Sequence, residues 1–325
     1  MKAMVLAAGL GLRMRPLSRL RAKPVLPVLN RPLLHWTLES LARHGVTEVV
    51  VNTHHQAASV RRAVGDGRAF GLRVAYSHER RILGTAGGPR RVRRFFGNEP
   101  FLLVNGDVFF DFDLASLVAR HRASGALATL ALRPNPDPRL YGPVVTARDG
   151  RVVSILGKPA PGRGTVSLFA GVHVLEPSLL DRLPARGASD SVRDLYIPAL
   201  AHGARLLGVR AKGAWYDLGT PALYRTAQIA LLAAGRGGDA GSLVDPTAEI
   251  GPDARVVRSV VGPGCRIGAG ASVVESVLWE KVRVGASARV SGSVLAAGTR
   301  VEAGARATGR LGLASGRGGE WSKLN

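Results

Sequence analysis

Two patterns of apolar positions alternate over the first two-thirds of the chain. Short apolar runs fall at residues 2–7, 48–53 and 101–105, the second of them β-branched, and amphipathic or helical stretches fall at 32–44, 56–64, 86–96 and 113–123. The runs predict buried strands and the longer stretches predict helices. Extended segments are also expected at 73–77 and 126–132. Gly45 closes the first helix, and Asp113 holds the N-cap place of the last. Strand alternating with helix marks an α/β fold, here a Rossmann-like, mostly parallel mixed sheet with helices on both faces. Ligands of such sheets bind outside the carboxyl ends of the strands, so polar residues just after strands carry the functional weight.

The pattern changes after Ala234. Ile250, Val256, Val261, Ile267, Val273, Leu278, Val284, Val290, Leu295 and Val301 recur at steps of six or five, with Gly and Ala between them. Strands of a sandwich alternate at two, and helices do not repeat at six. A three-sided solenoid does, with one inward aliphatic residue per face and small residues at the corners. The 6-6-5 rhythm gives coils of about 17 residues, roughly three of them. The expected division is an α/β domain over 1–235, a linker over 236–242, the solenoid over 243–309 and a tail over 310–325. The tail is rich in Gly and Arg and offers no basis for choosing between disorder and docking on a neighbour.

The repeats resemble the left-handed β-helix of hexapeptide-repeat proteins. Many of those are acyltransferases with a histidine base, but the last of the eight histidines here is His202, before the repeats begin. The expected role is packing or homo-oligomerisation.

A formal charge of +22 suggests a polyanionic partner. Only six of the 45 basic residues are lysine, and runs such as Arg90 to Arg94 interrupt a helical pattern, as a solvated face does. Aromatic residues are too few to supply base-stacking surfaces, so no nucleic-acid partner is expected. No apolar run reaches the roughly 18 residues that span a membrane. Residues 2–12 imitate a short signal peptide, but Arg13 and Arg15 end the run without a cleavage site. Cys265 is the single cysteine, which excludes an intrachain disulfide and points to a reducing, cytoplasmic setting.

The candidate chemistry begins just after the first run, at Leu6-Ala7-Ala8-Gly9-Leu10-Gly11-Leu12-Arg13. Two glycines let backbone amides approach an anion, and basic side chains follow at once. Met14 stands where a dinucleotide motif needs a third glycine, and the Gly157-Lys158 pair is followed by Pro159, not by the Ser or Thr of a P-loop. Taken alone, the loop is equally a tight turn with surface arginines.

With Lys23-Pro24-Val25-Leu26-Pro27-Val28 added, the chain resembles the sugar-1-phosphate nucleotidylyltransferases. It matches their signature at Ala7, Ala8, Gly9, Gly11, Arg13, Met14, Pro16, Leu17, Ser18, Lys23, Pro24, Pro27 and Val28. It departs at Leu12, usually Thr or Ser, and at Ala22, usually Pro. The resemblance continues through Leu83 to Gly88, Val104 to Asp107, Tyr141-Gly142, Lys158-Pro159, Ala170-Gly171 and Trp215 to Pro221.

The resemblance implies transfer of a nucleotidyl group from a nucleoside triphosphate to a sugar 1-phosphate. It assigns Arg13 and Lys23 to the triphosphate and the departing pyrophosphate. Leu6, Ala7, Ala8, Gly9, Gly11, Gly84, Thr85 and Gly106 would contact the nucleotide. Tyr141, Gly142, Lys158 and Gly171 would hold the sugar phosphate, and Asp107 and Asp217 would hold Mg²⁺. Two anions must meet in this reaction, so cations and backbone donors do most of the work. Asp111 and Asp113 read as turn or cap residues and stay outside the site. Two of the six lysines occupy matching Lys-Pro pairs, which is notable in a chain that otherwise uses arginine.

Gly157 departs from a common Glu that contacts sugar hydroxyls, so the sugar must be held otherwise or be bulkier. Residues 51–55 and the short loop 159–166 look like mannose-1-phosphate guanylyltransferases. The 101–108 stretch also resembles N-acetylmuramate-1-phosphate uridylyltransferases, and glucose 1-phosphate is a further alternative. His54 and His55 read as strand-end residues near the pocket rim, not metal ligands. A non-catalytic regulatory subunit of the same fold is the competing class, supported by Leu12 and Gly157.

Overall fold

The computed structural model describes residues 1–236, 241–314 and 320–324, so residues 237–240 of the expected linker and 315–319 and 325 of the expected tail lie outside the described residues. The chain forms two compact units. One comprises Met1–Leu10, Ala22–Pro24 and Leu34–Trp215; the other comprises Gly11–Arg21, Val25–Leu33 and the described residues from Tyr216 onward.

Among the described residues, the first unit builds a mixed sheet of nine strands. They are β1 (Lys2–Leu6), β2 (Glu48–Thr53), β3 (Arg73–His78), β4 (Phe101–Asn105), β5 (Ala128–Pro134), β6 (Pro143–Thr146), β7 (Val152–Ile155), β8 (Thr165–Leu175) and β9 (Leu206–Arg210). The order is β7-β6-β8-β4-β1-β2-β3, with β5 joining β8 to β9. The central strands β3, β2, β1 and β4 are parallel. Ala3, Met4 and Val5 are fully buried at the centre, which is why this run is apolar on both faces. The core continues through Leu103, Leu130, Leu175 and Leu206, with Phe96 stacked on Phe101 at 3.6 Å between ring centroids.

The expected helices at 32–44 and 113–123 are present as Leu33–Arg43 and Leu114–Ser124, the latter capped by Asp113 accepting from Ser116 N. The stretch 86–96 is instead two helices, Gly84–Arg91 and Arg93–Phe96. Pro89 lacks the N–H needed to continue the ladder, and the first helix ends two residues later. A three-residue strand, Val108–Phe110, follows Asp107; its pattern merges with the run before it in the sequence.

The second unit contains the solenoid. Its short strands stack in three sheets, in parallel apart from the last strand. Val260 pairs with Val277, Val277 with Val294 and Val294 with Leu311, a step of 17 residues each time. Two faces carry four strands in line, one more than the expected three coils. Ile267, Val273, Leu278, Val284, Val290 and Leu295 are buried inside, as the six-residue rhythm predicts, whereas Ile250 on the first coil is 41% exposed with no earlier strand stacked on its own.

The expected tail is, in its described part, a continuation of the solenoid. Arg310–Leu313 adds a strand, Glu320–Lys323 pairs antiparallel with it, and Trp321 packs on the solenoid core. Gly312 permits this, because a Cβ there would stand 2.8 Å from the Trp321 ring.

A column of buried serines lines one corner. Ser259, Ser276 and Ser293 are fully buried and spaced 17 apart. Ser276 N donates to Ser259 Oγ and Ser293 N to Ser276 Oγ, both at 3.1 Å. Each hydroxyl donates in turn to the carbonyl two residues before it.

Candidate active site

The first unit brings Leu6, Ala7, Ala8, Gly9, Gly106 and Asp107 to the carboxyl ends of the paired strands β1 and β4. Leu6 pairs with Asn105, and Gly106 N donates to Leu6 O at 2.9 Å. A Cβ on Gly106 would stand 2.6 Å from that oxygen, so this glycine lets two strand ends close together. Gly9 has neither reason: its φ is not positive, and an added Cβ would meet nothing within 4 Å. Its bareness leaves open space beside the backbone, the provision a phosphate-approaching loop makes.

Gly106 delivers Asp107 to the same edge. Lys23 Nζ donates to Asp107 Oδ2 at 2.8 Å, with the lysine side chain 8% exposed and the aspartate 41% exposed. Burial of an ammonium requires such a partner. The two sequence candidates furthest apart in assigned role, one for triphosphate and one for metal, therefore form a pair.

Asn52 and Glu79 were not assigned from the sequence. Ala7 N donates to Asn52 Oδ1 at 2.6 Å, Asn52 Nδ2 donates to Glu79 Oε1 at 2.8 Å, and Leu83 N donates to Glu79 Oε2 at 2.8 Å. Asn52 is 2% exposed and Glu79 fully buried. This relay ties the start of the Gly-rich loop to the 83–88 loop. The available signal is position: Asn52 lies near the end of β2, beside β1, and Glu79 follows β3, the next strand out, where polar groups carry the most meaning. His54 serves the same region, its Nδ1 lying 2.8 Å from Glu79 O.

Gly84 has φ +77°, and a Cβ there would stand 2.5 Å from Ser189 O. Thr85 Oγ1 donates to Asp190 Oδ2 at 3.1 Å and accepts from Ser191 N at 2.7 Å, so its hydroxyl anchors that loop. Gly171, at φ +75°, faces Asn105: an added Cβ would meet Asn105 Nδ2 at 2.8 Å. The β8–β5 register shifts there, between Phe169 and His173.

Tyr141 meets the Trp215 ring edge-on at 5.7 Å, and Trp215 Nε1 donates to Ala170 O. Gly142 leaves room for Leu156, whose Cδ2 would be 2.1 Å from a Cβ. Lys158 is exposed at the end of a tight turn closed by Lys158 N donating to Ile155 O at 3.0 Å. Leu156 and Gly157 both have positive φ, 55° and 77°, as a type I′ turn requires. Gly157 therefore answers a backbone demand.

Gly11, Arg13 and Asp217 fall in the second unit. Gly11 is left-handed, φ 60°, and opens a turn over Leu12–Met14; Ser18 Oγ donates to Gly11 O at 2.8 Å. Arg13 is exposed, and Leu12 is 54% exposed. Gly219 lies against Asp217, with 2.9 Å between its would-be Cβ and Oδ2.

Among the described residues, no three His, Cys, Asp or Glu side chains gather as a metal site. Asp107 nonetheless offers a partly exposed carboxylate oxygen, a donor that suits a hard cation drawing its other ligands from phosphate oxygens and water. No helix among the described residues is long and apolar enough to cross a membrane.

Comparison with known proteins places this geometry. Residues 2–233 match the family model described as nucleotidyl transferase, and residues 240–315 match the one described as GMPPB C-terminal domain. The chain is 34% identical over 233 residues to a UTP–glucose-1-phosphate uridylyltransferase of Synechocystis, covering 67% of this chain and 60% of that protein. It is 36% identical over 220 residues to a mannose-1-phosphate guanylyltransferase of Mycobacterium tuberculosis, covering 67% of this chain and 61% of that one. The matched region thus spans about three-fifths of the length of these two relatives. In fold, the chain is similar to the solved structure of HddC from Yersinia pseudotuberculosis, with a TM-score of 0.59 and 21% identity over 70% of this chain and 97% of that one. With the family model covering most of the chain, and the Gly-rich loop, Lys23 and Asp107 at the ends of the central strands, the protein belongs to the nucleotidyl transferase family.

Proposed function

We propose that the protein transfers a nucleotidyl group from a nucleoside triphosphate to a sugar 1-phosphate, and that mannose 1-phosphate and GTP are its substrates. The observation that carries the reaction class is the Lys23–Asp107 pair beside the bare backbone at Gly9. Support for mannose comes from the mannose-1-phosphate guanylyltransferase relative and the GMPPB C-terminal domain match. The uridylyltransferase relative keeps glucose 1-phosphate with UTP as the second reading.

In this reaction an oxygen of the sugar phosphate attacks the α-phosphorus. The bond from that phosphorus to its β-bridging oxygen breaks, and pyrophosphate leaves. The backbone at Ala8 and Gly9 approaches the phosphates without side-chain obstruction. Lys23 supplies a fixed positive charge toward the leaving pyrophosphate; the triphosphate role of Arg13 rests on the family resemblance alone. Lys158 and the Gly171 segment receive the sugar phosphate. Asp107 would hold Mg²⁺, which would supply further neutralisation of phosphate charge. Breaking the Lys23–Asp107 pair with a substrate phosphate and a cation exchanges one charge partner for another, so neither group is left buried alone.

The test is a matrix of ATP, GTP, UTP, CTP and dTTP against mannose, glucose and N-acetylmuramate 1-phosphates, read by pyrophosphate release. Release greatest with GTP and mannose 1-phosphate supports the full reading. Release with another pair retains the reaction class and replaces the substrate. Binding of a nucleotide sugar with no release from any pair identifies a regulatory subunit.

A further inference from the structure

The stretch carrying Arg13 shares a compact unit with the solenoid, and a few polar contacts hold them together. Arg21, at the end of that stretch, pairs with Glu280, and its guanidinium lies 5.2 Å from the centre of the Trp279 ring. Trp279 is 2% exposed, so the ring is fixed. Its Nε1 donates to Tyr224 Oη at 2.9 Å, and the Tyr224 hydroxyl donates to Pro27 O. Tyr224 lies on the helix Pro221–Ala233, which precedes the solenoid; one turn along it, Gln228 Oε1 accepts from Leu29 N at 2.9 Å, and Asn30 Nδ2 donates to Val261 O at 2.9 Å. Burial raises the Tyr224 pKa, so the hydroxyl remains a donor throughout the ordinary pH range.

Arg21, Pro27, Asn30, Trp279, Glu280 and Lys281 also line an open cavity of about 410 Å³, so the stretch at 21–30 is not packed on every side and leans on these polar contacts.

We propose that Glu280, Trp279 and Tyr224 are positioning residues for the phosphate-binding stretch: the solenoid holds Arg13 in place through Arg21, and the helix before the solenoid holds the chain at Pro27. Arg13 would bind the pyrophosphate moiety, and the anchors would act only through it. This rests on the triphosphate role given to Arg13 above.

The experiment measures pyrophosphate affinity by titration calorimetry on the full chain, with melting temperature recorded for each variant. Pyrophosphate is the product common to every reading of the substrate. Arg13→Ala tests the underlying assignment and should weaken binding by about tenfold or more. Glu280→Gln and Tyr224→Phe should each weaken it by roughly three- to tenfold, since small misplacements of a binding group are costly. The charge-swapped double variant, Arg21→Glu with Glu280→Arg, should recover part of what Glu280→Gln loses. If Arg13→Ala weakens binding while Glu280→Gln and Tyr224→Phe lower only the melting temperature, the anchors are structural and the proposal fails. If Arg13→Ala binds like the wild type, or the wild type does not bind, the Arg13 assignment fails first and the proposal with it.

Discussion

Lys23 and Asp107 stand 84 positions apart in the chain and 2.8 Å apart in the fold, with the ammonium buried and the carboxylate half open. The asymmetry matters. The lysine is enclosed by protein, and the aspartate is open to solvent. Lys23→Ala should lower kcat/KM by about 10²-fold or more, the usual cost of removing one transition-state charge contact. Lys23→Arg should not restore it, because a planar fork does not fit a site built around a compact ammonium. Steady-state pyrophosphate release checks both, and near-normal turnover by Lys23→Ala would remove the lysine from the site.

Gly9 and Gly106 should separate function from stability. Gly106→Ala places a methyl 2.6 Å from a backbone carbonyl and should cost about 1–3 kcal/mol in urea unfolding. Gly9→Ala meets no atom, so stability should hold within about 0.5 kcal/mol. Its activity should still fall at least tenfold, roughly 1.4 kcal/mol of binding or barrier, because the methyl fills ligand space. Equal activity in Gly9→Ala and wild type would show that no ligand passes there.

Asn52→Ala removes the centre of the relay between Ala7 and Glu79. It leaves a buried amide and a buried carboxylate oxygen each short of a partner, a loss of about 1–3 kcal/mol for each group. Denaturant unfolding reads the stability, and the KM for the triphosphate should rise because the 7–9 backbone loses its support. Unchanged unfolding would mean the relay is dispensable.

His173 gives the first unit a pH dependence. It is fully buried, its Nδ1 is bonded to the Tyr196 hydroxyl, its Nε2 has no hydrogen-bond partner, and burial lowers its pKa to about 3. The folded state keeps it neutral, while the unfolded chain protonates it near 6.5. Its contribution is therefore complete above pH 6.5 and lost as pH falls toward 3, at up to about 1.4 kcal/mol per unit. Burial lowers the pKa of His121 as well, with the same sign. Unfolding in urea at pH 5 and pH 7.5 should show this loss, and His173→Phe should flatten the difference without abolishing the part due to His121.

The sheet, the solenoid rhythm and the loop were legible because each is a local pattern: a strand, a six-residue step, two glycines before basic residues. Pairings across distance were not. Nothing near Glu79 in the sequence marks it as a partner of Asn52, since a buried carboxylate bonded to neutral donors has no spacing signature. Gly157 carries a second demand that a family comparison does not show. Compared with a family's glutamate it looks like a missing sugar contact, but beside Leu156 it is the second residue of a turn that needs positive φ. The tail offered no basis for a choice because composition rich in Gly and Arg hides the Leu311–Gly312–Leu313 segment that continues the coil.

The buried serine column has a consequence for how this chain can change length. Each hydroxyl is committed to the amide 17 residues further on, so neighbouring coils are joined like teeth on a ratchet. Losing or gaining one residue within a coil would break the one tooth that spans it, whereas a whole 17-residue cassette leaves both neighbours engaged. The solenoid is thus quantised: it can grow or shrink without losing a tooth only by complete turns.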